Sequence, residues 1–139
     1  MESKTKTWTV AAKELALTGP LISVEIGHPE SRDFRMGKAL IDTGAMCTLV
    51  SPHIVSALGL TQRGVGKGRG VDGPVSEKPY FAVIFRQPDL DLECEVNVMA
   101  VDNVNGPDVI CLLGRDVLYD LSFSMGFDGP NGSYSLTWK

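Results

Sequence analysis

Fifteen glycines and eight prolines are spread through this chain of 139 residues, and they cut it into short apolar segments. A chain interrupted that often cannot build long helices. It builds short strands joined by tight turns. Leu21–Ile26 reads as a first strand, closed by the turn residues Gly27-His28-Pro29, and Phe34–Ile41 as its return. Thr48–Val50, Tyr80–Phe85 and Val109–Leu113 are further β segments. Leu92–Val101 alternates, with Leu92, Cys94, Val96, Val98 and Ala100 on one face. At the end Leu121, Phe123, Met125 and Phe127 alternate out, Asp128–Gly132 turns, and Tyr134, Leu136 and Trp138 alternate back. Two short helices interrupt the strands. Pro52–Leu58 has Ser51 to accept from its free N–H groups, proline in its first turn and Gly59 to end it. Gly114–Tyr119 is the second. The expected fold is all-β with one or two short helices.

The length suits one domain, 1–139, with residues 1–19 as a segment leading into the first strand. With 43% hydrophobic and 22% charged residues, the composition is globular. No apolar run approaches the roughly 18 residues that cross a bilayer. Met1–Thr7 leads into no apolar stretch, so no secretory leader is expected. A formal charge of -4 makes nucleic acid a poor partner. Cys47, Cys94 and Cys111 are odd in number and far apart, without a C-x-x-C, and only His28 and His53 could assist them. Neither a disulfide framework nor a metal site is expected. The expected location is therefore cytoplasmic, unless the chain is a domain of a longer, membrane-anchored protein.

Chemistry concentrates where the strand Ala39-Leu40-Ile41 ends in Asp42-Thr43-Gly44-Ala45. Alone, Asp-Thr-Gly is a strand end followed by a turn. Here a β segment follows directly, and about seventy residues later comes Leu112-Leu113-Gly114-Arg115-Asp116-Val117-Leu118, two apolar residues and a glycine opening a helix. The pair LIDTGA and LLGRDVL resembles the retropepsin-like aspartic proteases over about residues 20–138. The helix Pro52–Leu58 places the resemblance nearer the cellular and bacterial single-domain members than the viral ones. It implies a closed acid-protease barrel forming a single lobe, a polypeptide substrate, and no metal or other cofactor.

Hydrolysing a peptide bond without a metal or a covalent nucleophile requires activating water and protonating the leaving amine. Two carboxylates sharing a proton do both. This chain carries a single Asp-[Thr/Ser]-Gly, because Asp72-Gly73 and Asp128-Gly129 lack the hydroxyl residue and precede proline. A homodimer would supply the second carboxylate, setting Asp42 against its counterpart. By resemblance, Asp42 is the catalytic residue, Thr43 bonds across the two-fold axis, and Gly44 lets substrate backbone approach. Ala45 replaces a serine whose hydroxyl stabilises the ionised carboxylate in pepsin-like enzymes, so a mildly acidic optimum is expected. Gly114, Arg115 and Asp116 form the structural motif.

The glycines at 64, 66, 68, 70 and 73 suit a flap, a hairpin that closes over substrate, with Val71, Asp72 and Gly73 near its tip and Tyr80–Phe85 returning. A plain surface loop is the bland alternative. A dinucleotide fingerprint, Gly68-x-Gly70-x-x-Gly73, lacks both the preceding strand and the following helix. Ile110 and Leu112 fall where the family lines its subsites, with Leu49 beside them, although apolar strand residues are more often core. Met46 stands where many viral enzymes carry an Asp that pairs with the later Arg, so Arg115 lacks its customary partner. The final hairpin exceeds a viral C-terminus and is expected to support dimerisation. Cys47 with His53 is a conceivable nucleophile pair, but Cys more often packs as a small hydrophobe. Asn131-Gly132-Ser133 matches a glycosylation sequon and reads as a turn. The competing function is a catalytically silent module of the same fold that dimerises or binds peptides.

Overall fold

The computed structural model describes residues 6–11, 13, 17, 19–68, 75–101, 109–120, 124–128 and 133–138. In chain order its elements are β1 (Lys6–Ala11), β2 (Leu21–Gly27), β3 (Phe34–Ile41), β4 (Leu49–Val50), α1 (Pro52–Leu58), β5 (Gln62–Gly68), β6 (Ser76–Gln87), a 3₁₀ turn (Pro88–Leu90), β7 (Leu92–Ala100), β8 (Val109–Leu113), α2 (Arg115–Asp120), β9 (Ser124–Asp128) and β10 (Ser133–Trp138).

Six strands close a barrel in the order β2-β3-β8-β4-β7-β6, and β2 pairs with β6 through Glu25↔Arg86, Ile26↔Phe85 and Gly27↔Ile84. Closure removes the exposed edges that an open sheet of this size would carry. The closing seam is reinforced on its outer face. Arg86 pairs with Glu25 at 2.7 Å and lies 3.7 Å from the centroid of the Phe34 ring. Inside, Ile22, Val24 and Ile26 of β2 meet Val83 and Phe85 of β6, Val98 of β7 and Leu113 of β8, all nearly inaccessible. The alternation expected on β7 holds from Leu92 to Val98, with Met99 buried as well. On β6, Phe81–Phe85 are all buried, and Ala82 borders a cleft shared with His28, Pro29 and Leu60.

The turn after β2 is organised by His28, whose Nδ1 accepts the N–H groups of Glu30 and Ser31 at 3.0 and 3.2 Å. Helix α1 ends as expected: Gly59 is left-handed at φ 61°, its N–H bonds Ser56 C=O, and Leu60 N–H reaches back to Val55 C=O. Its beginning differs. Ser51 stands at the N-cap in extended conformation, but its Oγ bonds His53 Nδ1 at 2.8 Å and caps no N–H. An imidazole two residues on competes successfully for the hydroxyl.

The hairpin from β5 to β6 is longer than the sequence suggests. It runs from Gln62↔Phe81 to Gly68↔Ser76, and β6 continues to Gln87. A second, three-stranded sheet has the order β1-β10-β9. The final hairpin is present, with Phe127↔Tyr134 and Met125↔Leu136 in register. Residues 6–11, which the sequence leaves as a leading segment, add a third strand along β10 from Lys6↔Trp138 to Ala11↔Ser133. One chain thus assembles its two terminal regions into its own sheet. Among the described residues no helix is long and apolar enough to cross a membrane.

Candidate active site

Sheet order creates the site. β8 lies between β3 and β4, parallel to the first (Leu40↔Leu112, Ile41↔Leu113) and antiparallel to the second (Leu49↔Leu112, Val50↔Cys111). The chain leaving β3 must therefore cross the end of β8 before it returns as β4. Residues 42–48 make that crossing, so Asp42 stands where the strand hydrogen bonding stops.

The crossing is held in order along its length. Asp42 N–H donates to Leu113 C=O at 3.0 Å, and Ala45 N–H to Asp42 C=O at 3.2 Å. Gly44 N–H donates to Asp42 Oδ1 at 2.9 Å, which aims the carboxylate. A Cβ on Gly44 would press that oxygen at 3.1 Å, so glycine leaves room for the carboxylate. Arg115 N–H donates to Ala45 C=O at 2.9 Å. Gly114 passes directly beneath: a Cβ there would lie 2.5 Å from the carbonyl carbon and oxygen of Cys47. Asp42 and Ala45 are half-buried, while Thr43, Gly44 and Met46 are exposed.

The far end of the crossing is fixed by a residue the sequence reading passed over. Thr48 is fully buried. Its N–H donates to Asp116 Oδ2 at 3.0 Å, its hydroxyl donates to Asp116 Oδ1 at 2.7 Å, and it accepts from Gly114 N–H at 3.1 Å. The available signal was a hydroxyl residue opening an apolar strand six positions after Asp42. Asp116, expected only as part of a motif, is thus joined to the Asp42 loop. Arg115 reaches that loop through its main chain, and its guanidinium forms no ion pair among the described residues.

Other predicted site residues are placed as follows. Leu112 and Leu49 are half-buried and paired across β8 and β4. Ile110 is 4% exposed within the core cluster and packs on the space left by Gly37, where a Cβ would meet it at 2.7 Å. Val71, Asp72 and Gly73 lie outside the described residues, as do Asn131 and Gly132 of the sequon. The β5–β6 hairpin meets the loop through Met99 of β7. Met99 Sδ is 3.6 Å from Cys47 Sγ, and a Cβ on Gly66 would touch the same thioether at 3.6 Å. A groove lined by Glu25, Arg86, Pro88, Asp91, Leu92 and Glu93 lies toward the opposite end of β6 and β7 and takes no part in this site.

The Cys47–His53 nucleophile pair is not assembled. Cys47 contacts Met99, and His53 is exposed and bonds Ser51. Burial first, and then the Asp116 charge, push the Cys47 thiol up, which disfavours the reactive thiolate. Cys94 is raised by burial, with Asp116 and Glu93 adding to it. Cys111, wholly buried, is raised far more by burial, with Asp116 again second. In each case the unfolded chain ionises first. Stability from these thiols is therefore intact below about pH 8.5 and lost as pH rises above it. The urea midpoint should be level from neutral pH to that point and fall beyond it. Native Cys111 should resist iodoacetamide at pH 8 and react once the chain is unfolded. Rapid labelling of the native thiol would contradict this burial. Among the described residues, no three His, Cys, Asp or Glu side chains gather as a metal site.

A closed six-strand barrel whose single Asp-Thr-Gly loop crosses a strand held between its own flanking strands is the retropepsin-like fold. The solved structures agree. A retropepsin-like aspartic protease from Rickettsia conorii matches with a TM-score of 0.59 at 12% identity, covering 99% of this chain and 95% of that one. The EIAV protease, solved in complex with the inhibitor HBY-793, matches at 0.50 and 22% identity, covering 78% and 92%. The simian foamy virus (mac) protease matches at 0.50 and 16%, covering 74% and 96%. At these identities the likeness is one of fold alone. No curated protein matches the sequence. The sequence model of the aspartyl protease family does match, over residues 22–117, and the chain belongs to that family.

Proposed function

We propose that this chain is a homodimeric aspartic endopeptidase that hydrolyses peptide bonds with water activated between Asp42 of each subunit. The observation that carries the reading is the Asp42 carboxylate, held by Gly44 N–H on a loop that leaves Thr43 and Gly44 exposed. One subunit offers one such carboxylate. A two-fold partner supplies the other, so that one member takes the proton from water while the other protonates the leaving nitrogen. Thr43 is free to bond across the axis. The β5–β6 hairpin, which meets the loop through Met99, acts as the flap, and Leu112 with Leu49 forms the apolar floor under the substrate. The three-stranded terminal sheet is complete within one chain, so the dimer does not need to exchange terminal strands.

The test is proteolysis of an unstructured protein between about pH 4 and 7, with sedimentation of the same samples. Cleavage should peak at mildly acidic pH, be blocked by an aspartic-protease inhibitor, and scale with the dimer fraction. A stable dimer that cleaves nothing would instead support the silent module.

A further inference from the structure

We propose that Thr48 and Asp116 are a positioning pair for Asp42, a clamp that fixes the catalytic loop on the junction between β8 and α2. The inference rests on the catalytic reading of Asp42 and extends it to two residues that touch no substrate. The loop is fastened to that junction at three points: Asp42 N–H on Leu113, Arg115 N–H on Ala45, and Thr48 on Asp116. The first two are single main-chain bonds of the kind any sequence can make. The third is built from side chains, and it closes the far end of the crossing. Without it the strand-side half of the loop, from Met46 to Thr48, keeps among the described residues one side-chain bond to the junction that supports Asp42, Gly114 N–H on Thr48 Oγ.

The chemistry of the pair is specific to a carboxylate. Three donors converge on Asp116: Thr48 N–H on Oδ2, and both Thr48 Oγ–H and Val117 N–H on Oδ1. An ionised carboxylate accepts all three, and such bonds are stronger than neutral ones. An asparagine amide cannot do so. With its nitrogen in the Oδ2 position it confronts Thr48 N–H, and in the Oδ1 position Val117 N–H, so either orientation leaves a main-chain donor unpaired. Thr48 is equally constrained. Its hydroxyl gives a proton to Asp116 and receives one from Gly114 N–H. Valine keeps the shape, abandons both bonds and orphans a buried amide. Serine keeps both.

Four variants test the clamp: Thr48→Ser, Thr48→Val, Asp116→Asn and the Thr48→Val/Asp116→Asn double. Each is measured for kcat and KM on a peptide substrate and for amide exchange across residues 42–48 and in β6 and β7. Displacing a catalytic group by about 1 Å costs on the order of 10²-fold in rate. Thr48→Val and Asp116→Asn should each lower kcat by about 10- to 100-fold with little change in KM. Thr48→Ser should stay within about threefold of wild type. The double variant should fall short of the product of the two single losses, because the Thr48 Oγ–Asp116 Oδ1 bond that both remove can be lost only once. Exchange should quicken at residues 43–47 in Thr48→Val and Asp116→Asn, leaving β6 and β7 unchanged. The clamp is overturned if Thr48→Val keeps half the wild-type kcat or more, if Thr48→Ser is as damaged as Thr48→Val, or if exchange rises equally in β6 and β7. If wild type itself cleaves nothing, the catalytic reading of Asp42 fails. The exchange pattern then decides the clamp by itself, and an unchanged loop in both single variants overturns it.

Discussion

Replacing Asp42 by Asn should abolish peptide cleavage, and adding that inactive chain to wild type should poison the wild-type activity. Asparagine keeps the size of the side chain and still offers Oδ1 to Gly44 N–H, the bond that orients Asp42 at 2.9 Å. The fold and its thermal midpoint should therefore be unchanged. What disappears is proton transfer, a contribution of about 10² to 10⁴ in rate for a single acid–base group. The loss should lie at or beyond the top of that range, since one substitution in a two-fold dimer removes both groups. Mixing separates this mechanism from a single-chain enzyme. At equal concentrations of fully dimeric chains, about half of the wild-type subunits are paired with the variant. Each such dimer holds one carboxylate and one amide. The rate per wild-type chain should fall to about half, and toward zero as the variant is added in excess. A rate that stays constant under that excess would refute a shared site, and residual cleavage by Asp42→Asn alone would refute the catalytic assignment.

Much of this was legible in the sequence because the signals are local. Alternation on β7 follows from a barrel wall with one face in and one out. Helix α1 announces its end through Gly59, whose left-handed backbone is cheap only for glycine. The Asp-Thr-Gly turn and the later Leu-Leu-Gly are each a short run whose meaning lies in being joined, and β8 lying between β3 and β4 is the physical reason they meet. What was missed depends on partners far away in the chain. Strand β1 pairs with β10 across nearly the whole sequence, so nothing within residues 6–11 reveals its neighbour. Thr48 and Asp116 are 68 residues apart, and each alone is an ordinary polar residue at the edge of an apolar run. Ile110 shows the converse. Its position by resemblance suggested a pocket wall, with core as the plain alternative, and the gap left by Gly37 takes the side chain into the core. Ser51 shows that a correct cap position does not guarantee the capping bond when His53 is within reach.

Gly114→Ala should be the most damaging glycine-to-alanine change among the described residues, and the reason is the threading that builds the site. The added Cβ would lie 2.5 Å from the carbonyl carbon and oxygen of Cys47 and 3.0 Å from Thr48 N. All three are main-chain atoms, so no side-chain rotation can relieve the clash. Relief requires the crossing loop to lift from the end of β8. That movement pulls on Gly114 N–H···Thr48 Oγ1, on Thr48···Asp116 and on Arg115 N–H···Ala45 together. Overpacking of this kind costs about 1–3 kcal/mol. The catalytic penalty should be larger, on the order of 10²-fold or more, because the strain is released through the segment that carries Asp42. Gly59→Ala is the matched comparison. Gly59 has φ 61° and no atom within 4 Å of a built Cβ. Alanine there incurs only left-handed backbone strain, roughly 1–2 kcal/mol, at the end of α1. Its urea midpoint should fall while kcat stays at the wild-type value. Equal losses of activity per unit of lost stability in the two variants would mean that Gly114 matters only for folding. A catalytic loss confined to Gly114→Ala, measured on chains that remain folded, would mean that the close approach of β8 to the loop is what holds Asp42 in place.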